Sequence, residues 1–298
     1  MESSRMERVS QIAHYVKNMP TLPVVMMKLI ELVDDPNTTA PKLARFISND
    51  PPMTSKILKL ANSAFYGFPH KIGTINLAIV VLGFQSVKDL ALAATVVKTF
   101  GGGECDEFFK PIKFWTHSIA VAAGCKILGQ EGSFKITGEI FISGLLHDVG
   151  VLILCNEISE LYKKALYEAR YHGTDLYDAE MDILGFNHAD LGGWLLESWK
   201  LPTHQIAAVY DHPNPWLSFR RPNLGMLVHF SDHLAKRLGY GLFNDEILPD
   251  LHPKVGAYLN LKQTEEGEID WPYYEDLLER EMERAQEFLK VLRDDNNS

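Results

Sequence analysis

An all-α, multi-helix protein is what this sequence predicts, on three observations. Apolar residues recur at three- and four-residue spacing along nearly the whole chain, no segment shows the strict alternation of a half-buried strand, and no repeat of fixed period appears. The composition agrees, since 298 residues with 46% hydrophobic and 23% charged side chains can bury the cores of two ordinary domains.

From the N-terminus, Val25, Met26, Leu29, Leu32 and Val33 mark one helix, with Thr21 as its expected cap and Asp34-Asp35-Pro36 as its stop. A second opens at Asp50-Pro51-Pro52, because Asp accepts from first-turn N–H groups and Pro fits that turn. Met53, Ile57, Leu60, Ala61 and Ala64 then share its face. Ser86 with Asp89 resembles a capping box ahead of "LALAATVVKTF". Gly101-Gly102-Gly103 reads as a hinge between domains and not as a phosphate loop, since no strand precedes it and no Lys-Ser/Thr follows. Beyond it, helices are expected over about 108–129, 137–148, 157–171, 175–184, 188–200, 202–210 and 222–238. The last helix is the clearest: Asp270 caps it, Pro272 lies in its first turn, and Tyr274, Leu277, Leu278, Ala285, Phe288, Leu289 and Leu292 line one side. The domain reading is therefore an N-terminal helical subdomain over 1–105 and a helical domain over 106–298 that ends in this long helix.

Several function classes are disfavoured at once. With 29 Lys and Arg against 39 Asp and Glu, the net charge of -10 repels polyanions at long range, so nucleic-acid binding is not evident. The densest basic cluster, Arg220-Arg221, reads as a solvated loop. No apolar stretch approaches the ~20 residues of a membrane helix and the start lacks a signal-peptide core, so a cytoplasmic protein without membrane contact is expected. Cys105, Cys125 and Cys155 form no CxxC pair and read as reduced, mostly buried thiols. No G-x-S-x-G or activated Cys marks a covalent nucleophile. Phe65, Tyr66 and Phe68, and likewise Trp194 and Trp199 beside Gly192-Gly193, read as packing residues that let helices approach closely.

The polar residues that stand out are His117 in "FWTHSIAVA", His147 and Asp148 in "SGLLHDVGVLIL", His188 in "FNHADLGGWLLESW", Asp211 and His212 in "VYDHPNP", and Asp232 in "HFSDHLAKRLG". Imidazole and carboxylate suit iron, manganese or zinc, and seven ligands would hold two such ions with an Asp bridging them. The alternative is that they hydrogen-bond one another across a helical core, as buried polar groups must. Spacings of tens of residues cannot decide between the two.

"HS", "GLLHDVG", "NHADLGGWLLESWKLP" and "FSDHLA" are similar to successive signatures of the HD superfamily of metal-dependent phosphohydrolases. More specifically, the segment from "MPTLPVVMMKLIELVDDPN" through "GFQSVKDLAL" resembles the N-terminal half of an HDOD domain, the HD-related output domain of bacterial signalling proteins, and the likeness covers about residues 10–240. It implies an all-helical fold and a regulatory or interaction role with signalling proteins as partners; many such domains have lost the metal ligands. By resemblance, His117, His147, Asp148 and Asp232 match one metal position; His188 and the Asp211-His212 pair match the second, with Asp148 able to bridge.

Two departures weigh against cyclic di-GMP hydrolysis. The related HD-GYP phosphodiesterases carry HD-x-G-K where this chain has Val151 in place of the Lys, and their His-His pair and GYP signature are here Asp211-His212 and "DHPNPWLSFRRP". Asp211 still offers an oxygen ligand. The leading expectation is thus a bacterial signal-transduction module that retains a metal site. A divalent-metal phosphohydrolase acting on a nucleotide or other phosphate ester is the alternative.

Overall fold

The computed structural model describes residues 12, 14–17, 19–100, 109–131, 139–218, 223–242, 248 and 250–293. Gly101-Gly102-Gly103, Cys105, Arg220, Arg221 and the side chain of Leu292 lie outside them. The described residues form α-helices and one 3-10 turn, with a lone antiparallel bridge, Gln263 to Ile269, in place of any strand. The chain packs as two compact units: Thr21–Gly102 with Arg280–Ser298, and Met1–Pro20 with Gly103–Glu279.

The first of these holds α1 (Val24–Asp34), α2 (Ala40–Ser48), α3 (Pro51–Ala61), α4 (Ile75–Leu82) and α5 (Phe84–Phe100). Side-chain caps set most of the starts. Thr39 accepts from Lys42 N, Asp50 from Met53 N at 2.9 Å, and Thr74 from Leu77 N. The expected capping box does not form: α5 begins at Phe84, just after Gly83 (φ 87°), which leaves Ser86 and Asp89 inside the helix. Nor does Thr21 cap α1, whose N-cap is Pro23. The long turn before α4 is pinned by Asn62, whose amide accepts from Ile72 N and donates to Ile72 O, both at 2.8 Å. Phe65 is buried there and meets the buried Phe288 ring at 5.5 Å, while Phe68 reaches solvent.

The other unit is built around α6 (Pro111–Glu131), buried on all sides from Phe114 to Cys125 apart from Thr116. Around it run α7 (Glu139–Leu146), α8 (Val149–Glu157), α9 (Ser159–Tyr171), α10 (Leu176–Leu184), α11 (His188–Ser198), α12 (Thr203–Asp211), the 3-10 turn Pro215–Leu217, α13 (Leu224–Arg237), α14 (Pro253–Leu259) and the first turns of α15 (Trp271–Arg293). Asp270 caps α15 as expected, accepting from Tyr273 N at 3.2 Å.

Glycine sets the closest approach, between α8 and α11. A Cβ on Gly150 would stand 2.0 Å from His188 O and 2.9 Å from Gly192 N, so nothing larger fits while His188 keeps its place. Gly193 lies in the same way under the Tyr210 ring, and Trp199 is buried with its Nε1 donating to Pro20 O at 3.0 Å. The stretch Ile140–Glu157 is 18 residues long with a mean hydropathy of 1.5, nearer to membrane-helix length than the sequence reading allowed. It is 89% buried within the protein, as a core element is.

Candidate metal centre

Five separate segments deliver the predicted side chains. His117 projects from the middle of α6, His147 and Asp148 form the break between α7 and α8, His188 is the first residue of α11, His212 caps the end of α12, and Asp232 lies midway along α13. All six are in one unit. Asp148 occupies the N-cap of α8, where an Asp side chain ordinarily accepts from the helix's own N–H groups. It makes no such bond here, and both oxygens are left for the histidines.

The histidines approach Asp148 in pairs. Nε2 of His147 and His117 lie 3.2 and 3.5 Å from Asp148 Oδ2. Nε2 of His188 and His212 lie 3.3 and 3.6 Å from Oδ1. Asp232 Oδ1 adds a contact of 3.2 Å to His117 Nε2. Two overlapping groups, His117-His147-Asp148 and Asp148-His188-His212, each bring three ligand atoms within 4.8 Å of one another, and every member is buried. Asp211, the seventh predicted residue, ends α12 in neither group, and its Cβ faces Gly225.

Each ring is oriented from behind. The Nδ1 of His117, His147 and His212 lies 2.8 Å from the carbonyl oxygen of Tyr240, Gly144 and Val209, and a carbonyl can only accept. In the neutral ring Nδ1 therefore carries the proton, which leaves Nε2 as the lone pair facing the cluster. His188 differs, because its Nδ1 donates to a carboxylate, Glu180 Oε2, at 2.6 Å, and that oxygen also accepts from His188 N at 2.8 Å. Tyr162 Oη completes the buried network by donating to Glu180 Oε1 at 2.7 Å.

The donor set fits divalent ions. While the rings are neutral, three buried atoms that face the cluster, His117 Nε2, His147 Nε2 and Asp232 Oδ1, have no hydrogen-bond partner among the described residues. His188 Nε2 and His212 Nε2, each a lone pair by this tautomer argument, stand 3.4 Å apart and need a proton or a cation between them. Four imidazoles and two carboxylates match iron, manganese or zinc.

The electrostatics agree. Burial lowers the pKa of His117, but Asp148 and Asp232 outweigh it and push it up to about 10. Burial likewise opposes the charge on His188, while Glu180 and Asp148 carry it up to about 9. His212 is held down to about 4 by its burial. Burial would raise Asp148, yet His147 and His188 hold it well below the usual carboxylate range; Lys236 and His117 do the same for Asp232. Both carboxylates are thus charged, and protons hold the cluster together wherever an ion does not.

The centre opens on a cavity of about 260 Å³. Asp148, His188, His212 and Asp232 line it, while His117 and His147 do not. Its walls include Trp216, His229, His233 and Lys236, and Asp175, Asp178 and Asp250 border it. Val151, which stands where the related phosphodiesterases carry Lys, is wholly buried in α8 and does not reach the cavity.

Sequence reading did not mark Glu180, His229, His233 or Lys236. Once Asp232 is taken as a ligand, residues three before and four after it share its helical face, which marks His229 and Lys236, and His233 lies four after His229, so the last three could have been found. Nothing local marks Glu180, on the acidic helix "LYDAEMDIL".

The sequence profile of the HDOD domain family matches residues 19–215. An uncharacterized protein of Treponema pallidum (strain Nichols) is 23% identical over 210 residues, which is 69% of this chain and 39% of that protein. The chain thus spans well under half the length of that relative. Among solved structures, an HDOD domain protein with unknown function from Geobacter sulfurreducens has 19% identity and a TM-score of 0.75, over 99% of this chain and 98% of its own. A "Putative phosphohydrolase" from Shewanella amazonensis SB2B has 24% identity and a TM-score of 0.74, over 95% and 98%. A "Putative signal transduction protein" from Marinobacter aquaeolei VT8 has 19% and 0.75, over 97% and 66%. With two thirds of its residues matched to the family and its helices laid out as in these structures, the chain belongs to the HDOD domain family.

Proposed function

We propose that this HDOD protein is a divalent-metal-dependent phosphohydrolase. The observation that supports it best is the convergence of four histidine Nε2 atoms on the two oxygens of Asp148, beside a cavity large enough for a small ester. His117, His147, Asp148 and Asp232 would hold one ion; His188, His212 and Asp148 would hold the other. Two such ions lower the pKa of a water and neutralise charge developing on a phosphate. The protein's own part is to fix the rings through Nδ1, to span both positions with Asp148, and to shape the cavity. The name given to the Shewanella amazonensis structure supports the same chemistry. Cyclic di-GMP is not the substrate favoured, because Val151 leaves the cavity without the Lys of that subfamily.

The test is turnover of generic phosphomonoesters and phosphodiesters by protein loaded with manganese or iron, against Asp148→Ala. The wild type should turn over and the variant should lose at least about 100-fold, as metal-ligand loss does. A wild type that carries two ions per chain and hydrolyses none of the substrates sinks the reading.

Family membership and the name of the Marinobacter aquaeolei structure favour a second reading, a cytoplasmic signal-transduction module with signalling proteins as partners and a structural or ligand-sensing metal centre. Under it, chelation lowers the melting temperature while no phosphoester is cleaved.

A further inference from the structure

The related phosphodiesterases carry a Lys cation beside their metal ions, and its position is here the buried Val151. The cavity has another. His229, Asp232, His233 and Lys236 follow the i, i+3, i+4, i+7 spacing that puts residues on one stripe of a helix, and all four line the same cavity as His188 and His212. Among the described lining residues Lys236 is the one Lys or Arg.

Its placement is defined. Lys236 Nζ lies 2.9 Å from Asp232 Oδ2, and Asp232 Oδ1 faces His117, so a single carboxylate ties the ammonium to the metal cluster. The side chain is 20% exposed, shielded from bulk water but not closed to a ligand. Lys236 sits in the last turn of α13, where the helix dipole favours a positive charge. Beside it His233 is buried, stacks on Trp271, and makes no hydrogen bond through its ring nitrogens among the described residues.

We propose that Lys236, with His233 as a neighbouring donor, forms an oxyanion subsite that binds the non-bridging oxygens of a phosphate group at the metal centre, taking the place of the cation that Val151 cannot provide. An ammonium suits this task because it is a compact charge with three donors, so it can keep Asp232 and still donate to a phosphate oxygen.

This rests on the hydrolase reading, so the experiment separates the two. Protein loaded with manganese, its ion content measured, is titrated calorimetrically with inorganic phosphate, alongside Lys236→Gln and Lys236→Arg. The expected result is wild-type ion content in both variants, a phosphate affinity weakened roughly 10- to 100-fold in Lys236→Gln, and most of it kept in Lys236→Arg. Unchanged phosphate affinity in Lys236→Gln overturns the proposal, and so does loss of an ion from that variant, which would make Lys236 a support for Asp232 only. A wild type that holds two ions but no phosphate overturns the subsite and leaves the hydrolase reading to its turnover assay. A wild type that holds no ion sinks both.

Discussion

The two halves of the cluster are built from similar ligands but held differently. His117 and His147 are fixed by backbone carbonyls, joined by the charged Asp232, and kept away from the cavity. Among the described residues His188 and His212 face only the shared Asp148 carboxylate through their Nε2 atoms; they line the cavity, and His188 is backed on its Nδ1 side by the buried Glu180 and Tyr162. The inner half thus offers four side chains that could hold an ion and the outer half three. An inner ion would be held, and an outer ion would keep positions open for exchange and for a ligand, as structural and catalytic metal sites differ. Negative charge behind His188 compensates in part, because a carboxylate on Nδ1–H makes the ring a stronger donor.

The largest effect should come from Gly150→Ala. The added methyl meets a backbone carbonyl at 2.0 Å, which cannot swing aside like a side chain, and that carbonyl belongs to the outer ligand His188. Destabilisation of about 3 kcal/mol or more is expected, a fall in melting temperature of roughly 6–12 °C, with the outer position losing its ion before the inner one. Thermal melts and ion content measured together would show it. A variant with unchanged melting and two ions would mean that α8 and α11 do not pack as described.

Next in size is the paired removal of ligands. His147→Ala leaves the inner position with His117 and two carboxylates, and His212→Ala leaves the outer one with a single histidine and Asp148. His212→Ala should lower the content to about one ion per chain, whereas His147→Ala should weaken the inner site while Asp232 keeps it partly filled. Equal losses in the two variants would erase the distinction between the halves.

Glu180→Gln removes no residue of the cluster and none that lines the cavity, which makes it the sharper probe of how His188 is held. An amide can still accept through its oxygen, so the ring stays oriented while the charge is gone. Affinity at the outer position should drop roughly 10- to 100-fold, and Tyr162→Phe, which removes only the outermost bond, should cost less. Competition with a metal-binding dye separates these outcomes, and a Glu180→Gln protein with wild-type affinity would reduce Glu180 to packing.

Much of the fold was legible in the sequence and little of the site was. Caps such as Asp50 and Asp270 and the apolar stripe of α15 are local signals, and they came through. Helix α8 did not, because Val149 to Cys155 are all buried and no polar face remains to give a period. The Ser86 box failed for the opposite reason: a capping pattern inside a helix has the same letters as one at its start, and only Gly83, with its positive φ, fixes the true start. The cluster is drawn from five segments between His117 and Asp232, so no spacing rule could assemble it. Resemblance named the residues, and the fold brings six of the seven together. Glu180 was invisible because its role depends on a ring on the next helix and a hydroxyl on the previous one.

The smallest effect expected is also the one that reports on both halves together. In metal-free protein His117 and His188 have folded pKa values of about 10 and about 9, above the 6.5 of an unfolded histidine. The stability they contribute is full below pH 6.5 and is lost as pH rises through 9 and 10. On the acid side His212, down to about 4, and the lowered Asp148 and Asp232 act oppositely: their contributions are lost as pH falls through their folded values. Metal-free protein should therefore melt at progressively lower temperature from about pH 7 to pH 10. Metal-loaded protein should not, because an ion needs Nε2 unprotonated and takes over the positive charge. At pH 7, loading should release about two protons per chain, one from each half, which an indicator in weak buffer would count. Release of one proton would place the charge in a single half, and release of none would mean that both rings are already neutral and the cluster is held by something other than shared protons.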